Sequence, residues 1–200
     1  MSDQSQDSQA PVGPLPADQL AILQQANQMM AAGQAVQAAP LFAQLASEHE
    51  ANQHPRRSAN LHARAAHAYA DNQNGQLALA QARRALNLFI NYRMPLRAPM
   101  FFSNITRQMN DHGMQNAAEA LRQEYGGRLH GGGPAGETGP LHRRMAGLGG
   151  EDPAAPSAAA HGTLSTSCPR CGGPVYPSDI HWVDNNTAEC DYCGALLPAE

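Results

Sequence analysis

The chain has 200 residues and a formal net charge of −4, and all 13 of its basic side chains are arginine. This length allows one ordinary domain with a small second unit, or a short repeat array with tails. The acidic balance disfavours extensive nucleic-acid binding, because neutralising phosphates over a large contact needs an excess of basic side chains. The lack of lysine, with abundant Ala, Arg, Gly and Pro, indicates a high-GC genome and hence a bacterial source.

The N-terminal segment "MSDQSQDSQAPVGPLP" is rich in Gln, Ser, Asp and Pro. Its acids stand where a secretory signal would carry basic residues, and nowhere does the chain approach the roughly 20 apolar residues that span a bilayer. We therefore expect a soluble, cytoplasmic protein with no membrane partner. Because residues 1–16 offer little apolar surface to bury, we predict that they form a disordered leader.

Residues 17–127 are rich in Ala, Leu, Gln and Met, and their apolar residues recur at helical spacing. Breaks at Gly33, at Asn74-Gly75 and at Gly113 suit tight turns between helices, since Gly and Asn accept the left-handed backbone that ends a helix. The prolines of "EANQHPRR" and "INYRMPLRAP" argue against one continuous helix. The sequence predicts a mostly α protein with six helices in three antiparallel pairs.

The helical region also repeats itself. The segments "MAAGQAVQAAPLFAQLASEHE", "YADNQNGQLALAQARRALNLF" and "MNDHGMQNAAEALRQEY" each carry an alanine at the same offset, namely Ala38, Ala78 and Ala118, 40 residues apart. A period of this length is typical of stacked helix pairs. We expect each repeat to be one helix-turn-helix unit.

This pattern resembles the tetratricopeptide repeat, a helix pair that stacks into a superhelical array. Small residues stand where that family packs its two helices together: Ala26 with Ala38, and Ala66 with Ala78. The third unit has Thr106 in place of the first alanine, the period is longer than the family's 34, and its closing proline is missing. An unrelated six-helix bundle is the alternative. The resemblance implies a concave face that binds a protein or peptide.

In the register of that family, the side chains on the groove include Asn27, Met30, His67, Asp71, Arg107 and Asn110. We predict that these residues bind the partner, the alternative being that they are ordinary solvated helix residues. A clamp for a C-terminal carboxylate is disfavoured, because Leu23 and Met100 stand where it needs cations. A basic cluster of Arg83, Arg84, Arg93 and Arg97 is interpreted as a solvated face.

Residues 128–163 are dominated by Gly, Ala and Pro, so we predict a flexible linker there. The remaining residues, 164–200, contain the only four cysteines of the chain, spaced as Cys168-x2-Cys171 and Cys190-x2-Cys193. Two residues between cysteines let one tight turn aim both sulfurs at a single ion, and two such turns complete a tetrahedron. Asp184, Asn185 and Asn186, which lie between the two cysteine pairs, are predicted to form a hairpin turn. The arrangement resembles a zinc ribbon.

We predict one zinc ion with a structural role. A segment of this size cannot bury enough apolar surface to fold alone, so metal binding must supply the missing free energy. Four thiolates leave no coordination position open for hydrolytic chemistry. No phosphate-binding glycine loop or catalytic triad stands in a recognisable context, so we predict no enzyme activity and no other cofactor. A rubredoxin-like iron redox centre is an alternative.

The cysteine module has one basic side chain, Arg170, against five acidic ones, which makes it unsuited to phosphate. Its exposed contacts are predicted around Trp182 and Tyr192. Together these features predict a non-enzymatic adaptor, in which the helical array and the ribbon each contact protein partners and the linker raises their joint affinity. The alternative function is a nucleic-acid-associated zinc-ribbon factor.

Overall fold

The computed structural model describes residues 13–94, 96–129, 161–177 and 180–200. These residues form six α-helices followed by a small antiparallel sheet, which confirms the mostly α prediction and the β character of the C-terminal module. The predicted leader and linker lie mostly outside the described residues, in 1–12 and 130–160. The elements are α1 Ala17–Ala31, α2 Ala35–Ala51, α3 Pro55–Asp71, α4 Gly75–Asn91, α5 Arg97–Asp111, α6 Gln115–Leu129, β1 His181–Asp184, β2 Thr187–Glu189 and β3 Leu196–Pro198.

The first five helices all end in the same turn. After α1, Gly33 donates its N–H to the carbonyl of Met30 at 3.1 Å and Gln34 donates to Met29 at 2.8 Å, the bond pair of a Schellman motif. The residue with left-handed backbone recurs every 20 residues, with φ between 52° and 77°: Gly33, Gln53, Gln73, Arg93 and Gly113. The breaks predicted at Gly33 and Gly113 are confirmed.

The turn predicted at Asn74-Gly75 uses its residues differently. Gln73 adopts the left-handed conformation with φ 56°, and Gly75 already begins α4. Asn74 caps that helix, because its side-chain oxygen accepts the N–H of Leu77 at 3.1 Å. The amide side chain of Asn74, and not the flexibility of Gly75, therefore sets the start of α4.

Burial repeats with the period of a single helix, half the period that the sequence indicated. A small residue near the start of five successive helices is at most 3% exposed: Ala38, Ser58, Ala78, Ala98 and Ala118. Ser58 shows why size matters there, because its hydroxyl donates to the carbonyl of Ala46 on the neighbouring helix at 2.9 Å. Each 20-residue unit therefore contributes one helix with a buried small residue near its start.

The helices pack in sequence, with α3 between α2 and α4, and α5 against both α3 and α4. One core lies among α3, α4, α5 and α6 and contains Phe89, Ile105 and Tyr125. The other core lies between α1, α2 and α3, where Phe42 and Leu45 are fully buried. This second core also includes side chains of the C-terminal module, so the helices and the module share a hydrophobic interior.

The C-terminal module is a three-stranded antiparallel sheet in the order β1-β2-β3. Its buried face carries Ala188 and Leu197, which pair with each other across β2 and β3. The predicted hairpin turn is confirmed, since the carboxylate of Asp184 accepts the N–H of Asn186 at 2.8 Å. Thr163 and Glu200 exchange two backbone hydrogen bonds and so join the two ends of the module. Among the described helices, none is both long and apolar enough to cross a bilayer.

Candidate metal centre and its seam with the helices

The four cysteines converge on one point. Their sulfur atoms all lie within 4.8 Å of one another, and every one of the four residues is buried. The sulfurs of Cys168 and Cys193 are 3.7 Å apart, and those of Cys171 and Cys190 are 3.9 Å apart. The cysteines form no disulfide. They are therefore positioned to hold one metal ion.

Two equivalent backbone turns, here called knuckles, aim these sulfurs. In the first, Cys168 donates its N–H to Gly173 and its carbonyl accepts the N–H of Gly172, both at 2.8 Å. In the second, Cys190 donates to Ala195 and accepts from Gly194, both at 2.9 Å. Gly172 and Gly194 occupy the same place in the two knuckles, with φ of 72° and 68°. A glycine is favoured there because other residues are strained at this backbone conformation.

The spacing of the sulfurs fits a tetrahedral ion. Zinc–thiolate bonds of about 2.3 Å require sulfur–sulfur distances of about 3.8 Å, which lies between the two distances given above. The N–H of Gly173 donates to the sulfur of Cys171 at 3.4 Å, a contact that stabilises a thiolate. The residues present thus suit a closed site with four sulfur donors.

The metal centre lies at the interface between the C-terminal module and the helices α1, α3 and α5, which we call the seam. On α1, Gln24 donates its side-chain amide to the carbonyl of Arg170 at 2.5 Å, and Asn27 donates to the carbonyl of Cys171 at 2.8 Å. Asn27 is only 8% exposed. Two amide side chains of α1 therefore hold the main chain of the first knuckle.

Two asparagine–arginine pairs with the same sequence separation continue the seam across the first helix of each pair. Arg64 on α3 donates to the side-chain oxygen of Asn27 at 2.9 Å, and Arg97 on α5 donates to that of Asn60 at 3.0 Å. The other Nη of Arg97 forms an ion pair with Asp191 of the second knuckle at 2.5 Å. Both side chains of this pair are below 10% exposed. The guanidinium also lies 5.0 Å from the ring centre of Tyr176.

A third arginine approaches the second knuckle through the N-terminal segment. Arg57 donates to the carbonyl of Gly13 at 3.0 Å, and Leu15 donates its N–H to the carbonyl of Cys193 at 3.0 Å. Burial lowers the pKa of Arg57, while Glu189 and Cys193 act in the opposite direction. Residues 13–16, the end of the predicted leader, thus pack between α3 and the metal centre, with Leu15 only 3% exposed.

The predicted ribbon contacts divide between the seam and the outer surface. Tyr192 is 4% exposed and lines a small cavity with α3 and α5, and its burial raises the pKa of its hydroxyl. Trp182 is half-buried, with its ring stacked on that of His161 at 4.1 Å. In this arrangement Tyr192 contacts the helices of its own chain.

The structure places the predicted groove residues in different environments. Asn27 lies at the seam, and Met30 is half-buried against the core. In the C-terminal part of α3, His67 and Asp71 both form hydrogen bonds with the side-chain amide of Gln108 on α5. Two more predicted residues lie on α5: Arg107 is exposed and bonds to Asn104, and Asn110 is half-buried.

The residues that make the seam were largely missed by sequence reasoning. The interpretation of the basic cluster as a solvated face is wrong for Arg97, which is 6% exposed, whereas Arg83, Arg84 and Arg93 are exposed as expected. One signal was present in the sequence: Asn27 with Arg64, and Asn60 with Arg97, repeat one residue pair at a separation of 37.

Comparison of the chain with protein-family models, with curated proteins and with solved structures gave no match.

Proposed function

We propose that this chain is a non-enzymatic protein-binding module, in which a tetratricopeptide-like array of three helix pairs carries a structural zinc ribbon. One observation carries the proposal. The first helix, α1, holds an irregular segment of the chain by its main chain, through the amides of Gln24 and Asn27. Hydrogen bonds to the main chain are a recurring way in which proteins hold extended peptides.

The metal centre supports a structural role and not a catalytic one. Four sulfur donors fill the coordination sphere of zinc, so no position is left for water or substrate. When bound, the ion would supply folding free energy to a module whose apolar interior is small. Cys168, Cys171, Cys190 and Cys193 would hold it, and the N–H of Gly173 would orient one of the thiolates.

The identity of the metal is tested by elemental analysis of the purified chain beside its visible spectrum. We expect one zinc per chain and a colourless protein, because zinc has a filled d shell and iron tetrathiolates absorb visible light. A coloured preparation with one iron per chain would replace the adaptor hypothesis with the redox one.

Partner binding is tested by affinity capture with the full chain as bait, once loaded with zinc and once after chelation, followed by calorimetry with each purified candidate on the state that captured it. The informative variant is D71A/R107A, which removes two exposed groove residues on α3 and α5. The matched control is R122A, which removes an exposed arginine of α6 outside that face. We expect a stoichiometric partner whose affinity falls about tenfold in the double variant and is unchanged in the control. If no protein binds the wild-type chain, or the partner binds both variants equally, the proposal is wrong.

A further inference from the structure

We infer that the face formed by α1, α3 and α5 is a recognition surface for an acidic segment with an aromatic residue, and that the metal-bound knuckles cover it. The inference rests on the proposed binding function and adds the chemistry of the partner and the means of control. It starts from the part of the chain that already occupies this face, the knuckle Cys190–Cys193 with its neighbour Glu189.

Three arginines give this face its charge. Arg57 and Arg97 are 4% and 6% exposed, and Arg64 is half-buried. Two of them have acidic neighbours on the ribbon: Asp191 pairs with Arg97, and Glu189 and Asp191 act on Arg57. Buried guanidinium groups need such counter-charges, because desolvating them alone is costly. The helices thus present a cationic surface that the ribbon neutralises.

The same face has room for a ring. Tyr192 inserts beside α3 and α5 at a cavity of about 80 Å³ whose wall includes Ala63, His67 and Phe101. His67 meets Phe101 edge to face with their ring centres 5.4 Å apart. The surface therefore combines cations for carboxylates, amides for a main chain and an apolar pocket for an aromatic side chain.

The metal controls whether the knuckles cover this face, because it fixes the conformation of both knuckles that contact the helices. Arg170 and Cys171 present their carbonyls to Gln24 and Asn27 only in the folded first knuckle. In the second knuckle, Asp191 reaches Arg97 from between two ligand cysteines. One divalent ion with four thiolates also carries a formal charge of about −2, which faces the arginines. Loss of the ion would remove both the folded shape of the knuckles and the negative charge of the site, and the knuckles would leave the face of α1, α3 and α5.

The test uses the full chain and a fluorescent peptide with the sequence of residues 187–195, in which serine replaces Cys190 and Cys193. Fluorescence anisotropy measures its binding to the zinc-loaded chain and to the same chain after chelation. A control peptide carries the changes E189Q and D191N. We expect the acidic peptide to bind the chelated chain about 30-fold more tightly than the control peptide, and neither to bind the loaded chain.

Two variants separate recognition from covering. In the chelated chain, R97M should weaken peptide binding about 30-fold, whereas R83M, at an exposed arginine of α4, should leave it unchanged. In the loaded chain, D191N should open the cover and allow peptide binding while one zinc per chain is retained. Equal binding to the loaded and the chelated chain, or none to either, would overturn the inference.

Two further outcomes also decide the matter. Helical ellipticity must persist after chelation, and its loss would show that the face does not exist without the ion. A zinc-dependent dimer in sedimentation would show that the occupant is the ribbon of a second copy and not a foreign segment. Failure of the proposed function gives a different result: no partner is captured, yet the peptide still binds the chelated chain. If a partner binds regardless of metal and of R97M, only this inference fails.

Discussion

The ion pair between Arg97 and Asp191 allows a quantitative test of the seam. The two groups are 2.5 Å apart, and their side chains are 7% and 9% exposed. In D191N an uncharged amide replaces the carboxylate and leaves the guanidinium buried. Removing one partner of a buried pair costs about 3 to 5 kcal/mol. Arg97 keeps the oxygen of Asn60 and the ring of Tyr176, so we expect the lower figure.

The chain can limit this cost by releasing the C-terminal module from the helices, which returns Arg97 to water. The free energy lost in D191N therefore cannot exceed the free energy of docking. Replacing both partners by apolar residues, in R97M/D191L, removes the unpaired charge, and we expect a stability within about 1 kcal/mol of wild type. The double-mutant cycle then measures the coupling between the two side chains.

The assay is urea unfolding of the zinc-saturated chain with two probes. Trp182 is the single tryptophan and lies in the C-terminal module, so its fluorescence reports that module, while ellipticity at 222 nm reports the helices. We expect D191N to shift the fluorescence transition by about 3 kcal/mol and the helical transition by less. A loss below about 0.5 kcal/mol by both probes is the value for an exposed pair, and it would refute the seam.

Three further predictions concern single positions. The ring of His49 is buried, neither nitrogen has a hydrogen-bond partner in the described part of the chain, and burial lowers its pKa from 6.5 to about 4. As the pH falls, His49 is therefore protonated in the unfolded chain before it is protonated in the folded one. The contribution of neutral His49 to the free energy of unfolding is complete above pH 6.5 and should fall by up to about 3 kcal/mol toward pH 4. Urea titrations at several pH values measure this slope, and it should be flatter in H49L. In G173A the new methyl would lie 3.0 Å from the ring of Tyr192 and 3.3 Å from the sulfur of Cys171, so zinc affinity by chelator competition should fall about tenfold. G126A, whose methyl would meet nothing beyond its own stretch of helix within 4 Å, should leave the zinc affinity unchanged. G33A should lower the free energy of unfolding by about 1 kcal/mol, because an alanine is strained at the φ of 72° found at this turn. G127A, inside α6, should raise the free energy of unfolding slightly. The opposite order would contradict the turn assignment.

Local chemistry made much of the fold predictable. The Asp184 turn and the breaks at Gly33 and Gly113 each depend on a few adjacent residues, and the structure has them as expected. The 20-residue period was hidden, because the left-handed position at Gln53, Gln73 and Arg93 is filled by residues that carry no turn signal. Five repeated hydrogen-bond pairs, and not glycine, define that period.

The seam could not be predicted because its contacts join distant residues. Arg97 and Asp191 are separated by 94 positions, and Asn27 and Cys171 by 144. In a linear sequence an arginine beside other arginines indicates a solvated face, and the burial of Arg97 depends on a module that lies beyond the predicted linker. Tyr192 illustrates the same limit, because an aromatic residue in a small acidic module reads as an exposed contact until its neighbour is known.

The geometry of the knuckles gives a physical reason for docking. When a knuckle turns its amides inward, as Gly173 does toward the sulfur of Cys171, the carbonyls of the second cysteines point outward. Those of Cys171 and Cys193 occupy equivalent places, and each accepts a donor from outside the ribbon: the amide of Asn27 and the N–H of Leu15. A buried carbonyl without a donor is costly, so an element that covers a knuckle must bring donors to these two points. The helices and the N-terminal segment meet that requirement, and any external protein that displaced them would have to meet it as well.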